Sequence, residues 1–122
     1  MPARRTAFCP RCGRVVALQH GTHFVVHSVR PRTDERCPMT GMRAPITGHS
    51  PADYLARAHL VAELAGIVQD EDPARAWDYL TAVPAGELQR LLMVALAGIG
   101  IDRTVDEIWG WVCQLPVAKA AS

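Results

Sequence analysis

Two kinds of hydrophobic patterning divide the chain. Residues 15–19 (Val-Val-Ala-Leu-Gln) and 23–27 (His-Phe-Val-Val-His) are short apolar, β-branched runs on either side of a His20-Gly21 turn signal. Runs of that kind around a glycine-containing turn read as a β-hairpin. A polar loop from Arg30 to Arg36 follows, and Cys37-Pro-Met-Thr-Gly41 closes the unit. Residues 42–49, with Pro45 and Gly48, have the punctuation of a linker.

From Ser50 onward the period lengthens to that of helices. Ser50, Pro51 and Asp53 supply an N-cap, a first-turn proline and an acidic N3 residue, so a helix is expected to about Gln69. Asp72-Pro73 opens a shorter helix to about Ala82, and Pro84 opens a third that ends near Gly98 or Gly100. That third helix is apolar nearly all round (Leu88, Leu91, Leu92, Met93, Val94, Leu96), the pattern of a central helix. Thr104 to Glu107 repeats the capping-box pattern and predicts a last helix bounded by Pro116. Val105, Ile108, Trp109, Trp111, Val112, Cys113 and Leu115 fill an arc of about 200° on its wheel.

The expected fold class is therefore α+β: a small N-terminal metal-stapled β-hairpin or ribbon over residues 1–44, a linker at 45–50, and a bundle of three to four α-helices over 51–122, with the Ala-rich tail 117–122 frayed. Trp77 and Tyr79 read as core residues of the second helix, and Cys113 as a core cysteine of the last. His59 and Glu63 read as a solvated i, i+4 pair on the first helix.

Charge sharpens the division. The total is only +1 over 122 residues, but residues 1–49 carry a net +6 and residues 50–122 a net −5. Of 13 basic residues, 12 are arginine, and alanine occurs 18 times without a single asparagine. A GC-rich genome produces such usage, so arginine richness alone does not identify a nucleic-acid partner. The N-terminus has charge but no apolar run, so no signal peptide is expected. The uncharged apolar stretch Leu91 to Ile101 has 11 residues, well short of the roughly 20 that span a bilayer. A cytoplasmic protein with no membrane partner is the expectation.

Candidate chemistry gathers at the cysteines. Cys9-Pro-Arg-Cys-Gly13 is a knuckle whose two thiolates can reach one zinc, the glycine permitting the backbone conformation that such a turn needs. Cys37 is the natural third ligand, since Cys37-Pro-Met-Thr-Gly41 looks like a second knuckle with Thr40 where a cysteine might stand. His20, His23 and His27 compete for the fourth place. With His20-Gly21 as a two-residue turn, His27 faces Arg14 beside the first knuckle and His23 faces Leu18, about 13 Å further along. The resulting set is Cys9, Cys12, His27 and Cys37. A helical finger using Cys9, Cys12, His23 and His27, a ribbon in which His23 or His20 replaces His27, and no metal at all are the alternatives. A ribbon of some 40 residues with few large apolar side chains needs such a staple to fold, and four protein ligands leave no open position for catalysis at the metal.

The string CPRCGRVVAL…GTHFVVH…RCPMTG resembles short zinc-ribbon-like proteins of actinobacteria and their phages. Their C-P-x-C-G-R opening, histidine strand and closing R-C-P segment match Cys9, Cys12, His27 and Cys37. The resemblance covers about a third of the chain. It implies one structural Zn²⁺ and carries no settled activity with it.

No nucleophile–base pair, Gly-rich phosphate loop or H-E-x-x-H motif is present, so an enzyme is not expected. A thioredoxin-type role for Cys9 and Cys12 is set aside because a glycine and a strand follow them rather than a helix. Two function classes remain. In the first, favoured one, Arg11, Arg14, Arg30, Arg32 and Arg36 of the basic ribbon, with Arg4, Arg5 and Arg43, track phosphates of DNA or RNA while Phe8 or Phe24 stacks a base. In the second, an adaptor binds a host, replication or transcription protein through its acidic, Trp-bearing helices.

Overall fold

The first knuckle turns the chain back on itself and so creates the sheet. In the computed structural model, which describes residues 4–104, 106–107 and 110, strands β1 (Thr6–Phe8) and β2 (Val15–Gln19) pair antiparallel with Phe8 opposite Val15 and Thr6 opposite Ala17. Strand β3 (His23–Phe24) follows β2 in the order β1-β2-β3. Three helices come after it: α1 (Pro51–Asp70), α2 (Pro73–Ala82) and α3 (Ala85–Ala97). The fold is α+β, with the hairpin at the N-terminal end.

The helix starts follow local rules. Ser50 Oγ accepts from the Asp53 amide at 3.1 Å while the Asp53 carboxylate accepts from the Ser50 amide at 3.0 Å, a reciprocal capping box before Pro51. Asp72 accepts from the Ala74 amide at 3.0 Å and starts α2 in front of Pro73. The next start is visible too: the Glu107 amide donates to Thr104 Oγ1 at 3.1 Å. The remainder of the expected last helix, with Val105, Ile108, Trp109, Trp111, Val112, Cys113, Leu115 and the tail, lies outside the described residues.

The hairpin register differs from the expected one by a residue. The turn itself forms as anticipated, with φ of +55° at His20 and +74° at Gly21 and the Thr22 amide donating to Gln19 O at 3.2 Å. Cross-strand partners, however, are Gln19 with His23 and Leu18 with Phe24, so His23 does not face Leu18 and β3 ends before His27. The cause is a further stretch of chain on the other edge of β3. Ala44 N donates to Thr22 O at 2.8 Å, Phe24 N donates to Met42 O at 2.9 Å, and His23 bridges Arg43. A one-residue slip sends every side chain to the opposite face. Here it places Phe24 inward with Val16 and Leu18, all three buried.

One apolar cluster runs through both halves. It joins Val16, Leu18, Phe24, Met39, Met42 and Ala44 of the ribbon to Leu60, Leu64, Ile67, Ala76, Tyr79, Val83 and Leu91 of the helices. Polar contacts fix the join. Tyr79, its phenol pushed up by burial, donates to Arg43 O at 2.8 Å. Glu63 on α1 takes Arg43 at 2.9 Å and His23 at 3.2 Å, so its partners are these two ribbon residues rather than His59, which is exposed. Between α1 and α3, the fully buried Arg57 guanidinium donates to both Glu87 oxygens at 2.6 and 2.9 Å.

Two apolar expectations fail in the helices. Among the described residues helix α3 is not enclosed: only Glu87 and Leu91 are buried in it, and Leu92, Met93 and Leu96 are more than half exposed. Among the described helices it packs mainly on α1, so one stripe is covered and the rest faces out. Trp77 is likewise exposed at 53%, because it stands opposite the face that carries Ala76 and Tyr79. Among the described residues, no helix is long and apolar enough to cross a membrane.

Candidate metal centre

Each cysteine sits where a knuckle puts it. In the first, Gly13 N donates to Cys9 O at 2.9 Å and Cys9 N to Arg14 O at 2.8 Å, with Gly13 at φ +76°. In the second, Thr40 N donates to Cys37 O at 3.0 Å, and Gly41 also has φ +76°. Both turns thus have a cysteine, a proline and, four residues after the cysteine, a glycine in a conformation that L-residues rarely adopt. Cys37 N donates to His27 O at 2.9 Å, which sets the histidine beside the second knuckle.

The ligand atoms of Cys9, Cys12, His27 and Cys37 all lie within 4.8 Å of one another. Cys9 and Cys37 are buried and their sulfurs are 3.8 Å apart. His20 and His23 are not part of this group: His20 belongs to the turn, and His23 Nε2 is 3.2 Å from Glu63, with Thr22 Oγ1 2.7 Å from its Nδ1. The helical-finger alternative fails with it, since residues 23–24 are strand. His27 reaches the cluster from the segment after β3 rather than by facing Arg14 across a hairpin.

The histidine is set up as a ligand. Val25 O lies 2.8 Å from His27 Nδ1, and a carbonyl can only accept, so Nδ1 carries the proton. The lone pair is then on Nε2, which is buried and has no hydrogen-bond partner. An orphaned buried acceptor is costly by itself. Beside three sulfurs it is a position that a metal ion could fill.

The thiols favour a cation in the same way. Burial, together with the neighbouring Cys9 and Cys12 sulfurs, pushes the Cys37 thiol up to about 12 against the opposing Met39 amide. Burial also works against ionising Cys12, but hydrogen bonds from the Arg14 amide and from the Cys9 and Cys37 thiols outweigh it and hold Cys12 low. A dication bound beside Cys37 would offset the repulsion from its neighbouring sulfurs.

Sequence reasoning noted Thr40 only as a residue standing in a cysteine's place. Its hydroxyl accepts from the His27 amide at 3.3 Å and donates to the His27 carbonyl at 3.2 Å, so it holds the His27 backbone at both its N–H and its C=O. Residue spacing carries no signal for that contact.

The basic candidates distribute unevenly. Arg11, Arg30, Arg32 and Arg36 are exposed, whereas Arg14 is half-buried and donates to Ser28 O at 3.0 Å and Ser28 Oγ at 3.3 Å. Ser28 bridges Arg36, so the first knuckle and the base of the 30–36 loop share one end of the ribbon. Of the two stacking candidates, Phe24 is 1% exposed and out of reach of any ligand, while Phe8 is 63% exposed.

Fold and site together define a small α+β protein with a three-cysteine, one-histidine cluster able to hold a metal ion. The chain belongs to a family of unknown function, DUF7368, whose family model matches residues 1–118. No curated protein and no solved structure matches the chain.

Proposed function

We propose that this protein is a non-enzymatic accessory module, stapled by one structural Zn²⁺, that binds nucleic acid through its basic ribbon. Zinc suits the donor set: two thiolates at about 2.3 Å from a tetrahedral ion stand about 3.8 Å apart, and the Cys9 and Cys37 sulfurs are 3.8 Å apart. Four protein ligands complete the shell, so the metal holds the ribbon together rather than activating water.

The pairing of the arginines carries the nucleic-acid reading. In the second half of the chain, Arg57, Arg75, Arg90 and Arg103 each have a glutamate partner, and Arg43 has Glu63. Arg4, Arg5, Arg11, Arg30, Arg32 and Arg36 are exposed on the ribbon, and among the described residues none is in an ion pair. Composition bias explains why the chain uses arginine. It does not explain why the unpaired ones collect on one module. Unpaired guanidinium groups gathered on one module are a footprint of phosphate binding. Zn²⁺ with three thiolates contributes −1 and leaves that surface basic.

The test is fluorescence anisotropy of zinc-loaded protein with short single- and double-stranded DNA and RNA at two salt concentrations. Affinity should fall steeply with salt and be lost on charge reversal at Arg30, Arg32 and Arg36. Absence of binding at low salt with zinc bound overturns the reading.

A second reading, an adaptor for a protein partner, is favoured by an open groove of about 860 Å³ among the helices, lined by Val61, Val68, Leu80, Leu88 and Leu92. Its signature is co-purification that survives nuclease treatment.

A further inference from the structure

The outer face of the β1–β2 hairpin is the part of the ribbon that the metal site and the core leave unused. Val16 and Leu18 point inward, so Val15 and Ala17 point out, and their partners Phe8 and Thr6 point out with them. Phe8 is 63% exposed and Val15, directly opposite, is 70% exposed. The Phe8 ring leans over the first knuckle, its Cζ 4.0 Å from where a Cβ on Gly13 would stand. Arg11 is exposed on that knuckle, at one end of the platform. Arg5 lies against the Gly21 turn, and because its carbonyl accepts from the Leu18 amide, alternation puts its side chain on the opposite face from Phe8.

Resting on the nucleic-acid reading above, we propose that the ligand of this surface is single-stranded nucleic acid, with one unpaired base stacked on Phe8 against Val15. The phosphate beside that base meets Arg11. A duplex keeps its base faces inside the stack, so an exposed ring has nothing to stack on there; an unpaired base offers its whole face. Apart from Gln19 at the turn, the outward β2 residues, Val15 and Ala17, are apolar and cannot read the hydrogen-bonding edges of a duplex groove. Aromatic rings beside a positively charged track are the means by which single strands are held with little sequence preference.

The experiment titrates zinc-loaded protein against labelled oligo-dT, oligo-U and a hairpin duplex of matched charge, for the natural sequence and for Phe8→Ala, Phe8→Leu and Phe8→Tyr. Cobalt(II) spectra of each variant report whether the neighbouring Cys9 site is intact. The single strands should bind more tightly than the duplex. Phe8→Ala and Phe8→Leu should each weaken single-strand binding about tenfold, with Phe8→Tyr close to the natural protein. The salt slope should stay unchanged in all three, because stacking releases no counterions. Phe8→Leu keeps the apolar bulk beside Val15, so its loss reports the ring itself. Salt-dependent binding that is indifferent to Phe8, or equal for duplex and single strand, overturns this inference and leaves the nucleic-acid reading standing. Absence of binding to every oligonucleotide overturns both.

Discussion

Thr40 Oγ1 stands 3.3 Å from the backbone nitrogen of His27 and 3.2 Å from its carbonyl oxygen. The residue at the fourth place of the second knuckle thus holds the backbone of His27, a candidate metal ligand that enters from the other side. Removing the hydroxyl while keeping the shape, as in Thr40→Val, should loosen His27 and lower zinc affinity about 10- to 100-fold. Thr40→Ser should restore it. Competition against a chromophoric chelator measures the difference, and equal affinity for Thr40→Val and the natural protein would refute that role.

Ligand removal separates the histidines. Cys37→Ser and His27→Ala should each abolish tight binding of one zinc equivalent, whereas His23→Ala should leave stoichiometry at one, because His23 is engaged with Glu63. Metal content after gel filtration against a weak chelator decides it. A full equivalent of zinc retained by Cys37→Ser would remove that residue from the ligand set. Chelation of the natural protein should lower the melting temperature of the whole molecule, since Cys9, Phe24, Cys37 and Met39 share one core with Leu60, Leu64 and Tyr79.

The features that sequence reasoning captured are those decided within a few residues. Ser50 and Asp72 cap the helices that follow them, and the knuckle pattern locates Gly13 and Gly41, each at φ +76°. The hairpin register was not legible. It depends on Ala44 and Met42 bonding to Thr22 and Phe24 from about 20 residues away, in a segment whose Pro45 and Gly48 read as a linker. Glu63 offers a similar lesson: its helical spacing suggests His59, and tertiary packing supplies His23 and Arg43 instead. The apolar surface of α3 misleads for the opposite reason, since composition alone does not say how many neighbours a helix has. A register argument makes His27 a candidate ligand; in the structure it joins the cluster instead through the Cys37 amide bond to its carbonyl.

The Glu63 contacts make stability depend on pH. Burial opposes its ionisation, but hydrogen bonds from Arg43 and His23 outweigh that and hold its carboxyl below the ordinary value of 4.5. A carboxylate with a lowered folded-state pKa contributes stability that is fully present above its unfolded pKa and is lost as pH falls through the folded one. Because Glu63 is 36% exposed, the contribution is screened to about 0.5–1 kcal/mol. Glu63→Gln should therefore be less stable than the natural protein at pH 6–7, the gap closing below pH 4. Urea titrations of both proteins across that range test it. Metal loss in acid affects both alike, so the difference between them reports Glu63.

The buried pair Arg57–Glu87 is the most exacting test of the helical packing. Arg57 is fully buried, donates twice to Glu87 and stacks its guanidinium over the Tyr54 ring at 4.6 Å, yet its Nη1 has no hydrogen-bond partner. Glu87 is therefore what makes the buried cation tolerable, and the pairing in turn holds Arg57 above its ordinary value. Glu87→Ala leaves an uncompensated charge between α1 and α3 and should destabilise the protein by about 3–5 kcal/mol, a large part of what a domain this size has. Arg57→Met alone removes the charge and should cost less. The double variant Arg57→Met/Glu87→Leu should recover most of the loss seen in Glu87→Ala, because an apolar pair of similar volume needs no desolvation. Urea unfolding of the three variants reads this directly. A Glu87→Ala protein as stable as the double variant would mean that Arg57 reaches water by another route and that the pair does not hold α3 against α1.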